Sequence, residues 1–199
     1  MMADSDADTI RAVLDGDVER YAELVDKYQG QALRLAFGFL GNYEDAKDVS
    51  QEAFVSAYQA LGRFRSAAKF STWLYRIVIN GCKDAHKRRA HQPMVVAGVG
   101  GPAPEDEAGE GLFVDVADPG AGPGDHAAAR ELSLALSAAI GELPAQQRTA
   151  FLLHHVHGLP LVEAADVMGC RVGTVKAHVF RATERLRGRL ARWVNEEGD

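Results

Sequence analysis

The stretch GLPLVEAADVMGCRVGTVKAHVFRATERLR, residues 158–187, decides how this chain folds. Apolar residues return at three- and four-residue steps on both sides of one glycine, which is the period of two amphipathic helices and not of strands. Pro160 stands at a helix start, and Ala164, Ala165, Val167 and Met168 give that short helix a packing face. Gly169 supplies the turn. Val172, Val175, Val179 and Leu186 then form the inner stripe of a longer helix. This pattern predicts a helix-turn-helix. Its second helix presents Thr174, Lys176, His178 and Arg181 outward, a hydrogen-bonding and cationic set suited to base edges and phosphates.

The same period runs upstream. Helices are expected around Ala129–Ile140 and from Pro144 to His155. Further back, Val18, Tyr21, Leu24, Val25, Tyr28, Ala32 and Leu35 make one stripe with Asp17 as its N-cap. Gly41 and Asn42 end that helix and start the next, in which Val49, Ala53, Phe54, Ala57, Tyr58 and Leu61 face inward. The other face of that helix carries Asp45, Asp48, Gln51 and Glu52. Ser71 caps a third helix with Trp73, Leu74, Ile77 and Val78 inside, and its last turns carry Lys83, Lys87, Arg88 and Arg89, where positive charge suits the helix dipole.

The chain has 199 residues with 28 acids and 22 bases, a formal charge of −6. That total disguises segregation. Residues 63–91 carry eight bases and a single acid, and 168–192 carry seven bases and a single acid, so two basic islands stand in an acidic chain. Between them, Pro93 to Asp125 holds five of the seven prolines and eight glycines with seven acids, too little apolar surface to offset the entropy of ordering. The expected organisation is all-α. Two small helical domains, residues 1–91 and 126–195, are joined by a flexible acidic Gly/Pro-rich linker, 92–125, and the second contains the helix-turn-helix.

Several classes are disfavoured. No apolar run reaches the ~20 residues of a membrane span, and the acidic N-terminus is unlike a signal peptide, so a cytoplasmic protein is expected. Cys82 and Cys170 are far apart and lie in no metal-binding spacing. His154, His155 and His157 point in different directions along a helix with no thiol or carboxylate at ligand spacing, and no metal is expected there. There is no phosphate-cradling glycine loop, no HExxH and no nucleophile elbow, so neither an enzyme nor a cofactor is expected.

Three segments in order, GNYEDAKDVSQEAFVSAY (41–58), KFSTWLYRIVINGCKDAHKRR (69–89) and LPAQQRTAFLL (143–153) followed by the opening stretch, resemble the extracytoplasmic-function (ECF, group 4) RNA polymerase sigma factors. The resemblance covers all but the termini and the linker. It implies an initiation factor that binds core RNA polymerase, recognises two promoter elements and helps melt DNA, in a stress or envelope response under an anti-sigma factor that wedges between the domains.

The resemblance also implies roles for residues. Asp45, Asp48, Gln51 and Glu52 would dock on the polymerase clamp, an electrostatically complementary contact. Arg63, Arg65, Lys69, Phe70, Tyr75, Arg76, Asn80, Lys83, Lys87 and Arg88 would hold the −10 element as a single strand, for which cations neutralise phosphates, aromatics stack bases and the Asn80 amide reads an edge. Arg171, Thr174, Lys176, His178 and Arg181 would read or clamp the −35 duplex. This chain has Ala177-His178 where the family commonly has Ser-Arg, and Arg171 where it has a capping Ser; a cation at that position opposes the helix dipole, which a phosphate contact would explain. The rival reading is a stand-alone helix-turn-helix regulator with an N-terminal sensing or partner-binding domain, which binds its site without polymerase, usually as a dimer on a palindrome.

Overall fold

The computed structural model describes residues 6–64, 69–91 and 123–191, with the side chains of 89–91 and 123–130 left undescribed. Every regular element among them is helical: α1 Asp6–Leu14, α2 Tyr21–Leu40, α3 Tyr43–Ala60, α4 Phe70–His91, α5 Pro123–Gly141, α6 Ala145–Phe151, α7 Leu161–Met168 and α8 Val172–Arg189. Helices α1–α4 form the N-terminal domain, with α2, α3 and α4 packed mutually, and α5–α8 form the C-terminal one, in which α8 rests on α6 and α7.

The local causes are mostly those the sequence states. Asn42 caps α3 by accepting from the Asp45 amide at 3.0 Å, a contact that stabilises by about 1 kcal/mol. Gly169, at φ +65°, makes the left-handed turn between α7 and α8 that a side chain would strain. Leu24, Leu35, Leu61, Leu74 and Val78 are sealed in the first core, and Leu152, Leu153 and Val175 in the second. Each contributes roughly 1.5–3 kcal/mol relative to an exposed position. At Gly81 of α4 the Val49 side chain of α3 packs so closely that an added Cβ would lie 3.0 Å from its Cγ1.

Some expectations give way. α1 was not expected; it lies on α2, with Thr9 Oγ1 donating to Glu23 and the Tyr28 hydroxyl donating to Asp6 at 2.6 Å. Residues 18–20 form a separate 3-10 turn before α2, so Val18 points out at 51% exposure and Asp17 makes no side-chain cap. Tyr58 and Val172, assigned to inner stripes, are 41% and 39% exposed because they lie on the shoulder of their helices. α4 begins at Phe70, which places Ser71 inside the first turn. α5 begins at Pro123, within the expected linker; proline suits a first helical position. The helix expected to His155 widens after Phe151 into a π-type turn, Leu152–Val156.

The two domains also touch. α4 packs on α7, and α2 packs on α5, α6 and the π-type turn, so the buried apolar residues of both halves form one continuous cluster. Arg148 fastens the seam. Its guanidinium donates across it to the Phe39 carbonyl at 2.6 Å, and within its own domain to the Leu143 carbonyl at 3.2 Å and to the Gly141 carbonyl. It also stacks 5.7 Å over the Phe39 ring. Hydrogen bonds from a charged donor stabilise by about 1.5–3 kcal/mol each, and here the cation sits at the carbonyl ends of α2 and α5, where helix dipoles favour it.

Candidate functional site

Three polar surfaces stand out. The first is the outer face of α3. Asp48, Gln51 and Glu52 are exposed and, with Val55 and Ser56, line a shallow hollow. Val55, 58% exposed, completes the patch as a hydrophobic point among acids. Its spacing from Asp48, Gln51 and Glu52 was the available signal. Asp45 belongs elsewhere: it is half-buried in the first turn beside its cap. A second hollow, between Val18, Tyr21, Val25 and Tyr58, adjoins this side of the domain and is rimmed by Glu19 and Asp26.

The second surface is a stripe along α4. Lys69, Thr72, Arg76, Asn80, Lys83 and Lys87 follow one another at three- and four-residue steps, so they share a face about 27 Å long. Asn80, Lys87 and Arg88 are exposed and Lys83 is half-buried; Lys87 lies 3.6 Å from Asp84. The N-terminal part of the stripe makes contacts with α7 in which Thr72 is buried while Lys69 and Arg76 keep exposed side chains. Lys69 Nζ lies 2.7 Å from Glu163 Oε1, Thr72 Oγ1 donates to Glu163 Oε2 at 3.1 Å, and Arg76 donates to the Asp166 carbonyl. Arg63 is exposed in the turn before α4, and Arg65 lies outside the described residues.

Both aromatics expected to receive bases are buried in this structure. Phe70, 1% exposed, is enclosed by the rings of Tyr28, Phe64 and Trp73 and is a core residue. Tyr75, 3% exposed, donates its hydroxyl to Gln31 at 2.5 Å and packs its ring 5.3 Å from His157 of the other domain. Burial raises the Tyr75 hydroxyl to about 12, and burial beside Arg34 pushes His157 down to about 4. The sequence missed this because the ring is covered from a distance of some 80 residues.

The third surface is the outer face of α8. Thr174, Lys176 and Arg181 are exposed, as is Arg171 at the extended N-cap position, where its side chain makes no cap. His178 lies on the flank, half-buried, with Nδ1 enclosed. Phe180, 66% exposed and off the inner stripe of Val175, Val179 and Leu186, was overlooked. The other histidines have local occupations: His154 Nδ1 lies 2.8 Å from the Leu159 carbonyl, and His155 packs on Phe151. Cys82 is sealed in the first core, and burial raises its thiol to about 12.

Two known families match the chain. The Sigma-70 region 2 family matches residues 24–92, and Sigma-70 region 4 matches residues 133–186. The ECF RNA polymerase sigma factor SigW of Bacillus subtilis is 34% identical over 181 residues, covering 91% of this chain and 94% of the relative. The chain belongs to the ECF sigma factors. The RNA polymerase sigma-H factor of Pseudomonas aeruginosa is 36% identical, covering 92% of each chain. Among solved structures, CnrH in complex with the cytosolic domain of CnrY has a TM-score of 0.67 at 24% identity, over 95% of this chain and 99% of that one. The sigma factor RpoE in complex with the anti-sigma factor NepR, from Bartonella quintana, scores 0.61 at 21% identity over 85% and 97%. These two establish likeness of fold. As a sigma factor, the protein binds core RNA polymerase and promoter DNA and directs transcription initiation. Relatives that match both halves of the chain argue against the stand-alone regulator, whose N-terminal half would be unrelated. No helix among the described residues is long and apolar enough to cross a membrane.

Proposed function

We propose that residues 1–91 act as the polymerase-binding and −10 unit, 92–125 as tether and 126–195 as the −35 unit, in a non-enzymatic cytoplasmic factor controlled by an anti-sigma partner. The observation that carries this reading is that the described bases of the two islands gather on α8 and on α4 with the turn before it, all but Lys83 exposed, while the exposed acids Asp48 and Glu52 lie on α3. Asp48, Gln51, Glu52 and Val55 make the polymerase contact, an apolar point ringed by charge. Arg63, Lys69, Arg76, Asn80, Lys83, Lys87 and Arg88 hold the melted strand by its phosphates, with Asn80 reading a base and Arg65 assigned from the sequence alone. Thr174, Lys176 and Arg181 meet the −35 duplex; Phe180 offers a ring to a thymine methyl, and Arg171 and His178 border the face. A partner that wedges between the domains must first part α4 from α7. The test is initiation with purified core polymerase: Glu52→Lys should abolish specific transcripts and core binding while leaving unfolding unchanged. Normal core binding by Glu52→Lys would remove the α3 assignment.

A further inference from the structure

Helix α1 lies ahead of the residues matched by the region 2 family, 24–92, yet its contacts lead to both described ends of the segment assigned to the −10 strand. At its C-terminal end it packs on the turn Leu61–Arg63. Leu14 stands there so close that a Cβ on Gly62 would lie 3.9 Å from its Cδ2, and Ile10 and Val13 are buried in the same core as Leu61. At its N-terminal end Asp6 accepts from the Tyr28 hydroxyl at 2.6 Å and lies 2.5 Å from Lys27 Nζ. The buried Tyr28 ring packs 5.5 Å from the ring of Phe70, the first residue of α4. Between these ends Thr9 Oγ1 donates to Glu23 at 3.1 Å, which pins α1 to α2. Asp6 and Leu14 are eight residues apart, about 12 Å along a helix. The helix is therefore a strut with one foot on Gly62 and the other, through Tyr28, on Phe70. Arg63 follows the first anchor and Lys69 precedes the second.

From this geometry we infer that α1 is a positioning element for −10 recognition: it fixes the spacing of Arg63 and Lys69, with Asp6 and Tyr28 as its positioning residues. The inference rests on the assignment of Arg63 and Lys69 to the melted strand. A single strand brings no fixed shape, so the spacing of the cations that hold its phosphates has to come from the protein. Apparent affinity falls with the fraction of molecules in which those cations stand correctly. Phe64 and Trp73 also enclose Phe70, but they belong to the segment and the helix that need positioning. Tyr28 comes from α2, and its hydroxyl is directed at α1, so it is the link through which the strut acts. Burial and the Asp6 carboxylate both push that hydroxyl above its ordinary range, which keeps it a donor. Asp48, Gln51 and Glu52 of α3 and the outer face of α8 stand outside this chain of contacts. Loosening α1 therefore weakens the hold on the strand and spares the grip on polymerase and on the −35 duplex.

The test uses the full chain assembled with core polymerase. Its probe is a labelled single strand of about 15 nucleotides taken from a promoter that the holoenzyme transcribes. Tyr28→Phe removes the hydroxyl and keeps the ring; Asp6→Ala removes the acceptor. Each should lower strand affinity about fivefold, as the competent fraction falls to about a fifth, with core binding and −35 duplex binding unchanged. The two together should lose no more than either alone, because both break one link. Val49→Ala, a core truncation on α3 away from this link, should lower the unfolding midpoint and leave strand affinity intact. Strand affinity that survives both single variants, or that Val49→Ala lowers equally, overturns the positioning role. Losses that add in the pair overturn Asp6 and Tyr28 as the link. Arg63→Ala with Lys69→Ala separates the two levels: a loss of strand affinity there keeps the −10 assignment even if α1 fails, and no loss removes the assignment and the positioning role with it.

Discussion

α4 and α8 are both basic helices with one apolar stripe, yet they are presented differently. α8 buries Val175, Val179, Ala182 and Leu186 and leaves Thr174, Lys176 and Arg181 standing free in solvent. α4 buries its stripe too, but its outer face is divided: Asn80, Lys87 and Arg88 touch no other domain through a described bond, while Thr72 is buried against Glu163 and the still exposed Lys69 and Arg76 are bonded to α7.

The comparison is broken most severely from the inside. Leu74→Ala, at a fully buried position, should cost about 3 kcal/mol in denaturant unfolding, whereas Lys176→Ala on the open helix should stay within about 0.5 kcal/mol. The next effect lies at the seam. His157 is held well below the ordinary histidine value, to about 4, so the fold contains it neutral. Its contribution is complete above the unfolded value near 6.5 and is lost as pH falls from there toward 4, because the unfolded chain takes up the proton first. The expected loss is about 3 kcal/mol, and His157→Phe should flatten that part of the pH–stability curve. On the open helix, Arg181→Ala should weaken −35 duplex binding about tenfold with unfolding unchanged, and Lys176→Ala should lower the salt slope by about one. The smallest effect is expected for Asp84→Asn, whose partner Lys87 is exposed; stability should move by less than about 0.5 kcal/mol.

What the sequence made legible is what neighbours in the chain decide. The Asn42 cap, the Gly169 turn, the run from Leu24 to Leu35 and the inner stripe of α8 follow from local chemistry and a 3.6-residue period. So does the gathering of Asp48, Gln51 and Glu52. What it hid depends on partners distant in the chain. Tyr75 reads as a surface aromatic until His157 covers it, and Lys69 reads as free until Glu163 meets it. Asp45 reads as part of an acidic face, yet the cap draws it into the first turn. Val18 leaves its stripe because a 3-10 turn changes the phase before α2 begins. Period tells which residues want cover and is silent on which element provides it.

The two cysteines make the protein its own stopwatch. Cys82 is sealed at 0% exposure with its thiol raised to about 12, whereas Cys170 is only half-buried in the turn before α8. An alkylating reagent should therefore mark Cys170 promptly and reach Cys82 only in the moments when α4 lifts from its bed. The ratio of the two labelling rates would count those excursions in an otherwise unmodified molecule, and would show whether polymerase, in holding the factor, also quiets them.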